Sequence, residues 1–216
     1  SSTIGTSTVM GVLTSGGTAQ NTASELLITT VASSALIISS TIANNGAVGA
    51  TTSLVLSGAG TITLAPQVSN TYTGATTINL ATVNTTGSAA GITLIPGTLT
   101  INHGAVTIGT AGAIAASAPI NLNGGASLTL TGANTLNGAI TFNNTGGTST
   151  PTLATGGTLT LGNNITATND SFSTIPTISG TLDFAGATRN FATNGVSPLD
   201  LVVSAIIQNG ALPRTA

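Results

Sequence analysis

The feature that most constrains the fold is a phrase of three residues, apolar, Thr and apolar, that recurs along the chain. Successive side chains of a strand point to opposite faces, so each copy predicts a short strand with its apolar ends inward and Thr outward. The seven copies are Ile62-Thr63-Leu64, Ile92-Thr93-Leu94, Leu99-Thr100-Ile101, Val106-Thr107-Ile108, Leu128-Thr129-Leu130, Ile140-Thr141-Phe142 and Leu159-Thr160-Leu161. Relatives with another central residue are Leu54-Val55-Leu56, Ile120-Asn121-Leu122 and Leu182-Asp183-Phe184. Such a chain predicts a stack of small, equivalent units.

The close spacing of the phrases narrows the choice of fold. Leu99 and Val106 begin two consecutive phrases, and Ile120 and Leu128 begin another such pair. Only about four residues then connect one strand to the next, which suits either the hairpins of an antiparallel sheet or the corners of a parallel β-solenoid.

Corner chemistry and aromatic content favour the solenoid. Asn-Gly pairs suit hairpin turns, but they also suit solenoid corners because both residues tolerate the left-handed region. These pairs begin at Asn45, Asn123, Asn137, Asn194 and Asn209. Aromatic residues make up only 2% of the chain, which argues against the large-ring core of a β-sandwich. The prediction is an all-β, right-handed, single-stranded parallel β-helix (β-solenoid), with a β-sandwich as the alternative.

The length then predicts a single rod-shaped domain over residues 1–216. About 20 residues per coil would give on the order of ten coils. At about 4.8 Å per coil the rod would be roughly 50 Å long.

The near absence of charge excludes several classes of function. Charged residues make up 3% of the chain and the net charge is -2, so no basic patch exists for nucleic acid. No apolar run reaches the length of about 20 residues that a membrane span needs. Four acids spread from Glu25 to Asp200, one His and no Cys predict neither an enzyme nor a metal or cofactor site.

A few single residues could carry chemistry, but each has a simpler interpretation. His103 lies between Asn102 and Gly104 and is predicted to be a solvent-exposed corner residue. Asp170 lies in a turn sequence, where Asx-turn hydrogen bonding explains it. Asp183 and Arg189 are expected to pair across a corner, a surface interaction worth about 0–1 kcal/mol.

Two groups of polar residues suggest further hypotheses. Paired Thr residues at Thr61/Thr63, Thr98/Thr100, Thr129/Thr131 and Thr158/Thr160 would bind ice if they formed one flat array, although Thr is also simply a good outward strand residue. N-glycosylation sequons begin at Asn84, Asn143, Asn164 and Asn169, as chance predicts in a chain rich in Asn and Thr.

The chain also contains a long, imperfect internal repeat. Residues 36–46 (LIISSTIANNG) resemble residues 201–210 (LVVSAIIQNG), so that Leu36 corresponds to Leu201, with a slip of one residue near the end. The sequence therefore restarts a large repeat at Leu201.

Two consecutive segments carry a family resemblance. Residues 57–64 (SGAGTITL) followed by residues 70–79 (NTYTGATTIN) resemble the autotransporter-associated β-strand repeat, which reads approximately GxGTLTLSGxNTYTGxTTI. Residues 126–141 form a weaker copy with Leu136 where the family has Tyr, and residues 65–69 are an insertion. The resemblance implies a bacterial passenger-type β-helix exported to the cell surface, with Tyr72 as a structural residue.

These observations predict a structural segment of a bacterial cell-surface fibre, filament or adhesin stalk. Neither end of the chain shows a cluster of charges or a helical cap, so its partner is expected to be another copy or the rest of a longer chain. The alternative is an adhesin module that recognises glycans or a surface, with ice binding less favoured. The segment LPRTA at residues 212–216 is similar to a sortase-type sorting signal, and the start of the chain lacks a signal peptide.

Overall fold

The fold is a parallel β-solenoid. The computed structural model describes residues 1–16, 22–46 and 50–211. Within them the chain forms twenty-one strands, every ladder between strands is parallel, and there is no helix. The alternative β-sandwich is therefore wrong, because its sheets would be built from antiparallel pairs.

Two long sheets run along the rod, and a third sheet has only two strands. Sheet 1 contains β1 (Ser2–Ile4), β4 (Ala35–Ile38), β7 (Thr61–Leu64), β9 (Thr82–Asn84), β11 (Ala105–Ile108), β13 (Ser127–Leu130), β14 (Asn134–Leu136), β16 (Thr152–Leu161), β18 (Thr177–Asp183), β20 (Val202–Val203) and β21 (Ile206–Gln208). Sheet 2 contains β3 (Ser24–Thr29), β6 (Thr52–Ser57), β8 (Thr76–Asn79), β10 (Leu99–Asn102), β12 (Ile120–Asn123), β15 (Ile140–Asn144), β17 (Ile165–Asn169) and β19 (Phe191–Gly195). Sheet 3 contains β2 (Val12–Leu13) and β5 (Thr41–Ile42).

Sheet 2 supplies one strand to each of eight turns. One column of register partners in this sheet consists of Leu26, Leu54, Thr76, Leu99, Ile120, Ile140, Ile165 and Phe191. The shortest step leads from Ile120 to Ile140 and the longest from Leu26 to Leu54, so the turns are longer on average than expected. The expectation of ten coils is therefore too high. The spacing of the phrases covers only the short step from a sheet 2 strand to the following sheet 1 strand. The rest of each turn returns from sheet 1 to the next sheet 2 strand and forms the third side of the rod. This third side is longer and more variable.

The core confirms the inward and outward alternation that the phrases predict. In β10, Leu99 and Ile101 are fully buried while Thr100 is half-buried on the outer face. One phrase is not a strand: Ile92-Thr93-Leu94 lies on the third side, where Ile95 forms a single bridge to Ile114. Leu94 is nevertheless buried, so the apolar pattern predicted its burial but not its secondary structure.

The corners after four successive sheet 2 strands are left-handed. Four residues that follow β6, β8, β10 and β12 have positive φ angles: Gly58 (95°), Leu80 (63°), His103 (52°) and Gly124 (55°). This confirms left-handed corners, but the pair Asn194-Gly195 lies inside β19 rather than at a corner.

The segment Asn70–Gly74 ties three turns together on the third side. The Asn70 side chain accepts a hydrogen bond from Ile42 N (2.8 Å) in the preceding turn and donates to Leu94 O (2.8 Å) in the following one. The buried Tyr72 hydroxyl donates to the same Leu94 carbonyl (3.2 Å). Asn70 and Tyr72 are therefore structural residues, as the sequence predicts for Tyr72.

Candidate functional site

His103 occupies the exposed corner that the sequence predicts for it. It follows β10 in a left-handed conformation, and its backbone N–H donates to Asn123 O (3.3 Å). Within the described residues no group of three or more His, Cys, Asp or Glu side chains could hold a metal ion. His103 thus has packing partners but no neighbours that suggest chemistry.

The predicted role of Asp170 is wrong in detail. Asn169 makes the Asx turn, because its Oδ1 accepts from Ser171 N (3.2 Å). The Asp170 carboxylate instead accepts from Val196 N (3.3 Å), which belongs to the next turn. It therefore contributes to the stacking of turns rather than to its own turn.

Asp183 and Arg189 do not pair with each other, contrary to expectation. Hydrogen bonds from the Ala185 backbone N–H, and then from the Asn209 side chain, hold the pKa of Asp183 below its usual value. Arg189 Nη2 donates to the Phe184 carbonyl (3.4 Å). A shallow groove does lie beside Asp183 and Asn209, but Asp183 is its only titratable lining residue and its carboxylate is already hydrogen-bonded.

The paired Thr residues do not form one array. Thr63 and Thr129 lie on sheet 1, whereas Thr100 lies on sheet 2. In the outward column of sheet 2 that contains Thr77, Thr100, Thr141 and Thr166, Asn121 interrupts the sequence of Thr. The flat Thr face that ice binding would need is therefore absent from the described strands.

The four sequons differ in accessibility. Asn169 is fully buried, so its side chain is closed to modification in the folded chain. Asn84 is half-buried, while Asn143 and Asn164 are exposed. The sorting-signal match at residues 212–216 lies outside the described residues. In the part of the chain that the structure describes, no helix has the length and apolar character to cross a membrane.

What distinguishes this molecule is the composition of its two ends. Ten of the twelve exposed large apolar side chains of the described chain lie before residue 32 or after residue 171. They are Val9, Met10, Val12, Leu27 and Val31 at the amino-terminal end, and Phe172, Val196, Leu199, Ile206 and Ile207 at the carboxy-terminal end. The lateral surface between them is almost free of such residues.

The core itself is also open at both ends. Leu26 and Ile28 at one end, and Phe191 and Val203 at the other, point into the core but are only partly buried. Ile207 is in register with the buried Leu182 yet is 50% exposed. These side chains are uncovered because no further turn lies beyond them in the described chain.

The backbone edges at the two ends are equally open. In sheet 2 the outermost strands are β3 and β19, and each has a neighbour on one side only. Unpaired strand edges are templates for another chain, and proteins usually protect them with charges or a cap. Here β3 offers one charged side chain, Glu25, and β19 offers none.

Two polar atoms near the carboxy-terminal end are buried without a hydrogen-bond partner in the described structure, Arg189 Nε and Asp200 Oδ1. Arg189 lies two residues before β19, which begins at Phe191. The lack of clustered charge in the sequence predicts uncapped ends. The sequence does not identify Arg189 as an end residue, because only the register of the sheets shows which residues lie last.

No family model, curated protein or solved structure matches this chain.

Proposed function

We propose that this chain is a structural segment of a bacterial cell-surface fibre, filament or adhesin stalk. Its activity would be to extend a stiff rod and to present its open ends to further turns of the same kind. The observation that carries this proposal is the unbroken column of sheet 2, which runs from Leu26 to Phe191 and is open at both ends.

The distribution of side chains supports a structural role. Apolar residues fill the interior from Ile38 to Phe184, and charged residues make up only 3% of the chain. Stability in such a stack comes from the interfaces between neighbouring turns, so every turn both supports and needs the next one.

An extracellular bacterial location is the part of the proposal that depends on the sequence resemblance. The residues that carry the resemblance, Asn70, Tyr72 and Gly74, have clear structural tasks in the solenoid. These structural tasks support the use of the resemblance in the proposal.

Two measurements test the proposal. Small-angle X-ray scattering of the purified chain should give the profile of a rod, and antibody labelling of intact source cells should place the protein outside. A compact, spherical particle or labelling only after lysis would overturn it.

A further inference from the structure

We propose that a second copy of this chain docks on the carboxy-terminal end, with Leu26 of the second copy placed over Phe191 and Leu36 of the second copy over Val203. The inference rests on the proposed structural function and specifies its partner and its register. It also assigns a role to strands β1 and β2, which this docking displaces.

One placement of the second copy continues the core columns of both sheets. The ladders of sheet 2 carry the column from Leu26 to Phe191 in seven steps. The ladders of sheet 1 carry the column from Leu36 to Val203, also in seven steps. A second copy with its Leu26 over Phe191 therefore has its Leu36 over Val203.

The side chains that would meet in these columns suit such stacking. Leu26, Leu36, Phe191 and Val203 all pack against the core but are only partly buried. Stacked in register, they would bury apolar side chains against one another, as in cross-β assemblies.

Two charged residues near the two ends have opposite signs. With Leu26 over Phe191, Glu25 of the second copy lies over Asn190, one residue from Arg189. Glu25 is exposed, and Arg189 is the only Arg or Lys side chain in the described chain. Because Arg189 Nε is buried without a partner, a carboxylate at this position would meet an unsatisfied cationic group.

Two strands would compete for one edge of sheet 1 at the junction. In the described chain β1 pairs with β4 on the side away from β7. In the docked arrangement, β20 of the first copy would need this same edge of β4 in the second copy. Docking therefore displaces either β20 of the first copy or β1 of the second.

The structure favours the release of β1. It has three residues, of which Ser2 and Thr3 are exposed, and β2 continues it with only two. In contrast, Leu201, Val203 and Ala205 all pack against the core around β20. In the isolated chain β1 pairs with β4 and so occupies the edge that β20 of another copy would take. The segment Ser2–Leu13 is therefore a removable cap on the amino-terminal end.

A reversible cross-link tests the cap without altering the length of the chain. Thr3 and Ile37 are register partners on the outer face of sheet 1, and the chain has no Cys of its own. In a T3C/I37C variant, oxidation would tie β1 to β4. Sedimentation velocity should show monomers when the variant is oxidised and end-to-end oligomers when it is reduced.

Inter-chain cross-linking tests the register. The proposed offset places Leu27 over Ala192 on the outer face, and both side chains are exposed. A mixture of L27C and A192C chains should form disulfide-linked dimers. A mixture of T100C and A192C chains is the matched control, because Thr100 lies on the same face in the middle of the rod and should not react.

The outcomes separate this inference from the proposed function. Equal assembly of oxidised and reduced T3C/I37C would overturn the cap, and equal yields from the two cross-linking mixtures would overturn the register. A rod-shaped chain that stays monomeric at high concentration in both redox states would overturn docking of a second copy, yet leave the structural role intact. As a further check, E25R should weaken assembly, and mixing E25R with R189E chains should restore the contact between them.

Discussion

The imidazole of His103 fills the space above the Cα atom of Gly124, which occupies the same corner one turn further along the rod. A Cβ atom added to Gly124 would lie 2.6 Å from His103 Nε2. Both residues have left-handed backbones, with φ angles of 52° and 55°. The one His of this chain is thus accommodated by a glycine in the next turn.

Gly124→Ala should therefore destabilise the chain for two reasons. A left-handed backbone costs a residue with a Cβ atom roughly 1–2 kcal/mol, and the overlap with His103 adds to this. Urea unfolding followed by circular dichroism would measure the change in the free energy of unfolding.

Gly146→Ala is the matched control, because Gly146 has a φ angle of 66° and nothing within 4 Å of the added Cβ atom. Gly146→Ala should lower the free energy of unfolding only by the cost of placing Ala in a left-handed backbone conformation. His103→Ala in the Gly124→Ala background should recover the difference, and equal losses for both single variants would show that the His103 contact does not matter.

Asn70→Ala should be among the more damaging polar substitutions. It leaves the buried Ile42 N–H without the 2.8 Å bond to Asn70 Oδ1, at a cost of about 1–3 kcal/mol. The measurement is the midpoint of urea unfolding. Asn190→Ala provides the comparison, because the Asn190 side chain is exposed and forms no hydrogen bond among the described residues; similar shifts for the two variants would contradict the bridging role of Asn70.

Alkaline pH should unfold the chain through Tyr72. Burial raises the pKa of this hydroxyl, although a hydrogen bond with Thr76 opposes the shift, so the folded state holds the proton after the unfolded state has lost it. Stability from this group is then fully present below about pH 10, the ordinary pKa of Tyr, and declines above it. The chain has no Lys and no Cys, so Tyr72 is the only side chain expected to titrate in this range.

Ultraviolet absorbance reports this titration directly, because the chain has one Tyr and no Trp. The tyrosinate signal should appear only as the circular dichroism of the strands disappears. Tyr72→Phe should remove this source of alkaline instability. A tyrosinate signal near pH 10 with unchanged circular dichroism would show that the hydroxyl is accessible in the folded chain.

Gly74→Ala should also destabilise the fold, because the added Cβ atom would overlap the neighbouring turn. The backbone conformation of Gly74 is not the cause. The added Cβ atom would lie 2.8 Å from the Cα atom of Ser53 in the preceding turn. Overpacking of this kind typically costs about 1–3 kcal/mol. Gly109→Ala is the comparison, since its Cβ atom would meet nothing closer than Thr85 Oγ1 at 3.7 Å, and it should be close to neutral in thermal unfolding.

Much of the fold could be predicted from local pattern. The phrase Leu99-Thr100-Ile101 is a strand with buried ends because the pleat alternates side chains, and His103 is at a corner because a left-handed residue must end that strand. The phrase Ile92-Thr93-Leu94 has the same pattern but is no strand. Its backbone forms hydrogen bonds with the backbone of Asn70 and Ala113 instead. A pattern of three residues cannot predict partners that are so distant in the sequence.

The sequence by itself determined that this chain stacks short strands around an aliphatic core with few charges, because alternation and composition act over neighbouring residues. Only the tertiary structure decided how many turns result and which residues lie at the ends. The third-side connections set the length of each turn, from the short step between Ile120 and Ile140 to the long one between Leu26 and Leu54, and they follow from packing between turns. For the same reason, the open positions of Leu26 and Phe191 became visible only when the ladder of sheet 2 joined them in one column.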